Sequence, residues 1–141
     1  MLSLVAVGAL AFAAATFLPV PSEGAVLGAW HAGEALFPLW LVATLGNTAG
    51  SLAMYALGLG VVRWPPLQAR LAGPRQAYAA WLGRYGAPVL LLAWLPGVGD
   101  ALPPLAGALG VSARAAALCL FLGKGARYAV VLGTAEALRV A

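Results

Sequence analysis

Residues 16–25 read TFLPVPSEGA, and residues 93–102 read AWLPGVGDAL. Each stretch sets Leu-Pro, a short turn and one carboxylate, Glu23 or Asp100, inside long apolar sequence. Proline lacks a backbone donor and clashes with the preceding turn, so it interrupts a helix. An ionised carboxylate at bilayer depth costs on the order of a few kcal/mol or more and calls for a partner. A chain that does both things twice is built from two broken apolar arms, and those breaks decide how it folds.

The surrounding sequence says what kind of medium the arms sit in. The chain has 141 residues, 63% hydrophobic and only 9% charged, with a mean hydropathy of +0.94. Ordinary soluble domains carry about 25% charged residues, so this surface faces lipid and the expected class is an all-α integral membrane protein. A crossing takes about 20 apolar residues, which leaves space for two to four embedded units and none for a separate soluble enzyme. The net charge is +4, and Arg63, Arg70, Arg75 and Arg84 cluster between the apolar arms, with Arg114 opening the last one. By the positive-inside rule these mark the cytoplasmic side, and without a soluble aromatic-rich module they do not point to nucleic acid. Cys119 stands alone in LCLFLG (118–123), so neither a disulfide framework nor a metal site is expected. The apolar start MLSLVAVGALAFAAATF (1–17) has no basic residue ahead of its core and no clear cleavage site after it, and reads as a retained segment rather than a signal peptide.

Outward from the first break, residues 2–17 form one apolar arm. Pro19 and Pro21 end it, and GAVLGAWHAG (24–33) is too short to span at 1.5 Å per residue. Residues 1–32 therefore read as a re-entrant hairpin, a shape tolerated at membrane depth only where protein or a water-filled cavity covers its irregular backbone. Residues 35–62 are long enough for a full crossing, and Gly46, Gly50, Tyr55 and Gly58 give it a stripe for close helix approach. The segment 63–86 mixes four arginines with Trp64, Tyr78, Trp81 and Tyr85, the composition of an amphipathic segment lying on the membrane surface. Residues 87–111 then repeat the hairpin around Pro96, Gly97, Gly99 and Asp100, and 113–138 form a second crossing.

The two halves match at an offset of 77 residues: Leu18-Pro19 with Leu95-Pro96, Glu23 with Asp100, and Leu45-Gly46-Asn47 with Leu122-Gly123-Lys124. Each half reads as a hairpin followed by a crossing. One full crossing between the hairpins would send them in from opposite faces, giving the inverted repeat seen in many transporters, with broken helices meeting near the midplane.

The deep polar groups are Glu23, Asn47, Tyr55, Asp100, Lys124, Arg127 and Tyr128. Lys124 and Arg127 share one helical face, and Glu23 and Asp100 are the acids that could answer them. The expectation is a central cluster: Lys124, Arg127, Asn47 and Tyr128 receive an anionic headgroup, while Glu23 and Asp100 serve as counter-ions or exchange protons. The competing expectation is that the same pairs simply neutralise each other and lock the fold. The single His31 beside Trp30 reads as an interfacial polar residue. No Ser-His-Asp set, phosphate-binding glycine loop or zinc spacing is present, so no enzyme, cofactor or catalytic residue is expected.

At LPVPSE (18–23), ATLGNTAGSLAMYALG (43–58), WLGRYGAPVLLLAWLPGVGDALPPLAG (81–107) and FLGKGARY (121–128) the sequence resembles the DedA family of bacterial inner-membrane proteins, the VTT-domain or SNARE-associated-Golgi-like superfamily, and within it the short YqaA-like branch. The resemblance implies two re-entrant hairpins entering from opposite faces and a multi-pass protein of the inner membrane. It also implies a role in moving lipids between leaflets, with undecaprenyl phosphate or phospholipids as partners and with protons as a coupling ion in some members. Family roles carry over to Pro19, Pro21 and Glu23 of the first hairpin and to Gly46, Gly50, Tyr55 and Gly58 of the following helix. This chain departs from the larger members in having no arginine around Pro96 and none after Gly58. Two other readings stay open at this point, an ion-coupled transporter of a small solute and a non-transporting scaffold. A homodimer would complete the cavity of so small a protein, with Gly46 and Gly50 as its first candidate contact.

Overall fold

The computed structural model describes residues 3–16, 21–61, 76–95 and 99–140. Every element among them is helical: α1 (Leu4–Ala14), α2 (Ser22–His31), α3 (Leu36–Val61), α4 (Gln76–Tyr85), a 3₁₀ helix (Ala87–Trp94), a 3₁₀ turn (Gly99–Ala101), α5 (Leu102–Ala108) and α6 (Ala113–Val140). Pro19, Pro96, Gly97, Arg63, Arg70 and Arg75 lie outside the described residues. Two helices are long and apolar enough to cross a membrane, over Leu36–Gly60 and Ala113–Val140. The second runs two residues past the expected end at 138. The segment expected to open the second hairpin is 3₁₀ over Ala87–Trp94 rather than α-helical, and the 63–86 segment contains a helix at Gln76–Tyr85.

The ends of the short helices follow from local chemistry. Ser3 caps α1, its hydroxyl accepting from the Ala6 amide at 3.2 Å, which satisfies one of the donors that a helix start leaves open. Pro21, extended at φ −73°, precedes α2, where its missing N–H is no loss. Glu23 falls in the first turn, on the side favoured by the helix dipole. α2 ends at Gly33, whose φ of +97° suits glycine. There Gly33 N–H donates to the Trp30 carbonyl (3.0 Å) and Glu34 N–H to the Ala29 carbonyl (3.1 Å), a Schellman cap. α5 ends in the same way: Gly110 has φ +69°, its N–H donates to Gly107 (3.1 Å), and Val111 N–H donates to Ala106 (3.0 Å). Every residue of the second cap stands 77 positions after its counterpart in the first.

The chain divides into two compact units, Met1–Gly50 with Lys124–Ala141, and Ser51–Gly123. The first holds α1, α2, the opening part of α3 and the closing part of α6. Its core is formed by Val7, Val26, Ala29, Trp30, Leu39, Ala43, Tyr128 and Leu132. α1 lies against α3 with no room between them: a Cβ on Gly46 would run into the Gly8 carbonyl, and one on Gly50 into the Phe12 carbonyl. Only small residues permit that approach. The Gly46 and Gly50 face is thus covered by α1 of the same chain, which corrects the expectation that a second copy would dock there.

The second unit holds the closing part of α3, α4, the 3₁₀ segments, α5 and the opening part of α6, around Tyr55, Leu82, Leu90, Leu102, Leu105 and Leu120. Gly58 and Gly107 again admit backbone to backbone contact, Gly58 against the Pro104 carbonyl and Gly107 against the Tyr55 carbonyl. Tyr55 donates its hydroxyl to the Val111 carbonyl at 2.5 Å, fastening α3 to the end of α5. Gly99 N–H donates to the Leu95 carbonyl (2.8 Å), and a Cβ on Gly99 would meet the Ala93 carbonyl, so glycine is required where the second turn folds onto its arm. α4 buries Leu82, with Tyr78 one turn earlier packed beside it, and leaves Trp81, Arg84 and Tyr85 exposed.

Candidate functional site

Polar side chains of α2, α3 and α6 and a backbone carbonyl of α1 converge in the first unit. Asn47 on α3 is buried, and its amide nitrogen donates to the Ala11 carbonyl of α1 at 3.0 Å and to the Tyr128 hydroxyl of α6 at 3.1 Å. Ala11 belongs to the last turn of α1, where carbonyls have no intrahelical donor, so the Asn47 amide supplies what the helix end lacks. Tyr128 in turn donates to Ser22 Oγ, the first residue of α2, at 2.9 Å. The neighbouring residue on each helix continues the pairing, since Arg127, just before Tyr128, forms a salt bridge with Glu23, just after Ser22.

Burial grades across this arrangement. Asn47, Ser22, Tyr128 and Lys124 are shut off from the surface, with Lys124 only 1% exposed. The Arg127 and Glu23 side chains remain 25% and 30% exposed. The site therefore has a buried, hydrogen-bonded floor and an ion pair at its accessible edge. A guanidinium in that position can open a fork of donors toward an incoming oxyanion while Glu23 holds it in the resting state. No cluster of three metal-ligating side chains occurs among the described residues.

Of the residues singled out from sequence, Asn47, Tyr128, Glu23 and Arg127 are brought together, and Lys124 is buried in the same unit. Asp100 belongs to the second unit, where it lies exposed on the 3₁₀ turn, without an ion-pair partner among the described residues. Pro21 precedes α2 and Gly99 opens the 3₁₀ turn, and Gly46, Gly50, Tyr55 and Gly58 sit at close helix contacts. The sequence reading missed Thr44, Thr48 and Ser51, all buried on α3. Their signal was present, because polar residues at 44, 47, 48 and 51 follow the spacing of one helical face.

Two further features border the site. Trp40 Nε1 donates to the Gly125 carbonyl at 2.8 Å, tying α3 to α6. The outer turns of these helices bound an apolar groove of about 920 Å³ that includes Leu36, Phe37, Trp40, Leu132 and Glu136. Glu136 accepts from Trp30 Nε1 at 3.1 Å, and the Arg139 guanidinium lies 5.6 Å from the Trp30 ring centre, a cation–π distance. His31 is exposed and packs its ring on Trp30 at 4.6 Å.

Comparison with known proteins gives a consistent set of relatives. The inner membrane protein YqaA of Escherichia coli strain K12 is 40% identical over 131 residues, covering 92% of this chain and 89% of the relative. The protein of the same name from Shigella flexneri matches to the same extent. An uncharacterized protein of Haemophilus influenzae is 41% identical over 101 residues, 69% of this chain and 59% of that protein. No family model matches the chain, and no solved structure matches it.

Proposed function

Because the chain belongs to the family of the inner membrane protein YqaA, we propose that it is a multi-pass inner-membrane transporter of the DedA, or VTT-domain, type that moves a lipid carrier between leaflets. The lipid class is undecaprenyl phosphate or a phospholipid, the activity supports envelope homeostasis, and the reading involves no covalent chemistry. The observation that carries it is the Arg127–Glu23 pair, half-exposed at the edge of a buried polar floor. In this reading a lipid phosphate displaces Glu23 from Arg127 and is then held by guanidinium donors, with Lys124 and Tyr128 lining the path and Asn47 holding the Tyr128 hydroxyl through its amide nitrogen. The released Glu23 takes up a proton, which removes its charge until the headgroup leaves. The acyl chains stay in lipid, and the apolar groove beside Trp40 suits one of them.

The proposal extends to architecture. Each unit combines one hairpin with part of the helix that follows it and part of the helix from the other half, and the two Schellman caps match at the repeat offset. Both features support a pair of inverted repeats with re-entrant hairpins, in which Asp100 takes the place in the second half that Glu23 has in the first.

Reconstitution into liposomes with labelled undecaprenyl phosphate or phospholipid tests the reading. Movement above protein-free vesicles is expected, and Glu23→Gln and Arg127→Ala should each reduce it severely. No movement of any lipid tested would refute the function. Movement that survives both substitutions would refute the ion-pair mechanism.

A further inference from the structure

The buried face of α3 carries polar atoms for which the fold supplies no partner. Thr44 is fully buried, Asn47 is 2% exposed and Thr48 is 7% exposed. Thr44 Oγ1, Asn47 Oδ1 and Thr48 Oγ1 nonetheless have no hydrogen bond to protein. Threonine within a helix ordinarily relieves its hydroxyl by donating back to a carbonyl three or four residues earlier. Thr134 of α6 does this, at 2.9 Å to both Val130 and Val131. Thr44 and Thr48 do not, so the demand of these two buried hydroxyls is left unmet by the helix itself. Ser51, the first residue of the second unit, repeats the pattern with a buried and unpartnered hydroxyl. A buried polar group left unmatched is penalised by about 1–3 kcal/mol, and three within two turns of one helix add to a demand that packing does not meet.

We infer that Thr44, Asn47 and Thr48 hold bound water inside the first unit. The amide of Asn47 is oriented by its neighbours: its nitrogen donates to the Ala11 carbonyl, which can only accept, and to the Tyr128 hydroxyl, so its carbonyl oxygen is the atom left unmatched. That oxygen needs a donor, whereas the two hydroxyls can both donate and accept. An oxyanion offers acceptors alone and would be repelled by Asn47 Oδ1. A metal cation would accept the oxygens but would share the unit's interior with the buried Lys124 and the half-buried Arg127. Water offers donors and acceptors together. Residues three and four apart on a helix are neighbours, so one or two molecules reach all three oxygens, and a buried water typically makes about three such bonds. The Asn47 amide then joins two systems, the water on one side and the Tyr128–Ser22 chain on the other, keeping the interior beside the Arg127–Glu23 pair polar within apolar helices.

Water-edited solid-state NMR of the full chain in bilayers tests this directly. Magnetisation should pass from water to Thr44 faster than to Leu39 and Ala43, which are as fully buried on the same helix, and to Thr48 faster than to Met54 of that helix, which is also nearly buried. Transfer no faster than at these apolar residues would overturn the inference. Thr44→Val and Thr48→Val remove the hydroxyl and keep the shape. If water occupies the site each variant lowers the Tm, and the double variant lowers it by less than the sum. A Tm that rises in either would mean the hydroxyl was unmatched and would overturn the proposal. A wild-type Tm raised by sodium over choline at equal ionic strength, or by inorganic phosphate over chloride, would overturn it in favour of an ion.

Discussion

Replacing Gly46 by alanine adds one methyl group where α1 and α3 touch backbone to backbone, and the structure fixes what that methyl meets. The new Cβ would meet the Gly8 carbonyl oxygen, with the carbonyl carbon at 3.0 Å and Cα at 3.1 Å. All three are backbone atoms of α1, so no side-chain rotation relieves the clash and the helices have to separate. Overpacking of this kind costs about 1–3 kcal/mol, set against a gain of roughly 1 kcal/mol when alanine replaces glycine in a helix. Gly28 supplies the control, since it lies in α2 with nothing within 4 Å of its added Cβ. Gly28→Ala should be stabilising by roughly the propensity gain, and the difference between the two variants should isolate the overpacking, about 1–3 kcal/mol. Separating α1 from α3 also stretches the 3.0 Å bond from Asn47 to Ala11, linking the packing defect to the polar floor. Gly50→Ala strains the same contact through Phe12, so the double variant should cost less than the sum once the helices have parted. Equilibrium unfolding in mixed micelles, followed by tryptophan fluorescence, reads these differences. Equal stability changes for Gly46→Ala and Gly28→Ala would refute the close-contact argument.

Other outcomes follow from the same contacts. Tyr128→Phe leaves a buried Ser22 hydroxyl and one Asn47 donor unmatched and should cost about 1–3 kcal/mol, measured by the same unfolding assay. Glu23→Gln or Arg127→Gln alone strands a half-buried charge and should cost less than the 3–5 kcal/mol typical of a fully buried pair. The double variant should recover part of that loss, which a double-mutant cycle in micelles would detect. Gly33→Ala and Gly110→Ala should each destabilise by about 1–2 kcal/mol, because both positions are left-handed and a side chain is strained there. Since both sites are otherwise open, the two losses should be nearly equal in thermal unfolding.

How much of this was legible beforehand depended on whether a feature is local. The proline breaks, the long apolar runs and the polar residues of the two crossings are written in single stretches, and helix ends in the described parts fall close to them. The 77-residue repeat was legible through Pro19, Glu23 and Gly46, yet the Gly33 and Gly110 caps state it more firmly and were passed over. Glycine is so common here, at 18 residues, that composition hides its conformational role. Thr44 and Thr48 were passed over for a related reason, because a threonine in an apolar helix ordinarily satisfies itself and only its hydrogen bonding tells otherwise.

The sequence by itself determined that the chain is helical, apolar enough for a membrane, broken twice by proline and supplied with few deep charges, since these follow from the length, hydropathy and backbone chemistry of contiguous residues. Tertiary structure decided which charges meet. Glu23 pairs with Arg127 because the start of α2 packs beside the later part of α6, whereas Asp100, at the matching repeat position, lies exposed on its turn. Tertiary structure also decided that Gly46 and Gly50 serve α1 rather than a second copy, because a small-residue face records that something comes close without recording what. Pairing between residues more than a hundred positions apart depends on the packing of whole helices, and a one-dimensional pattern of polar and apolar residues does not encode it.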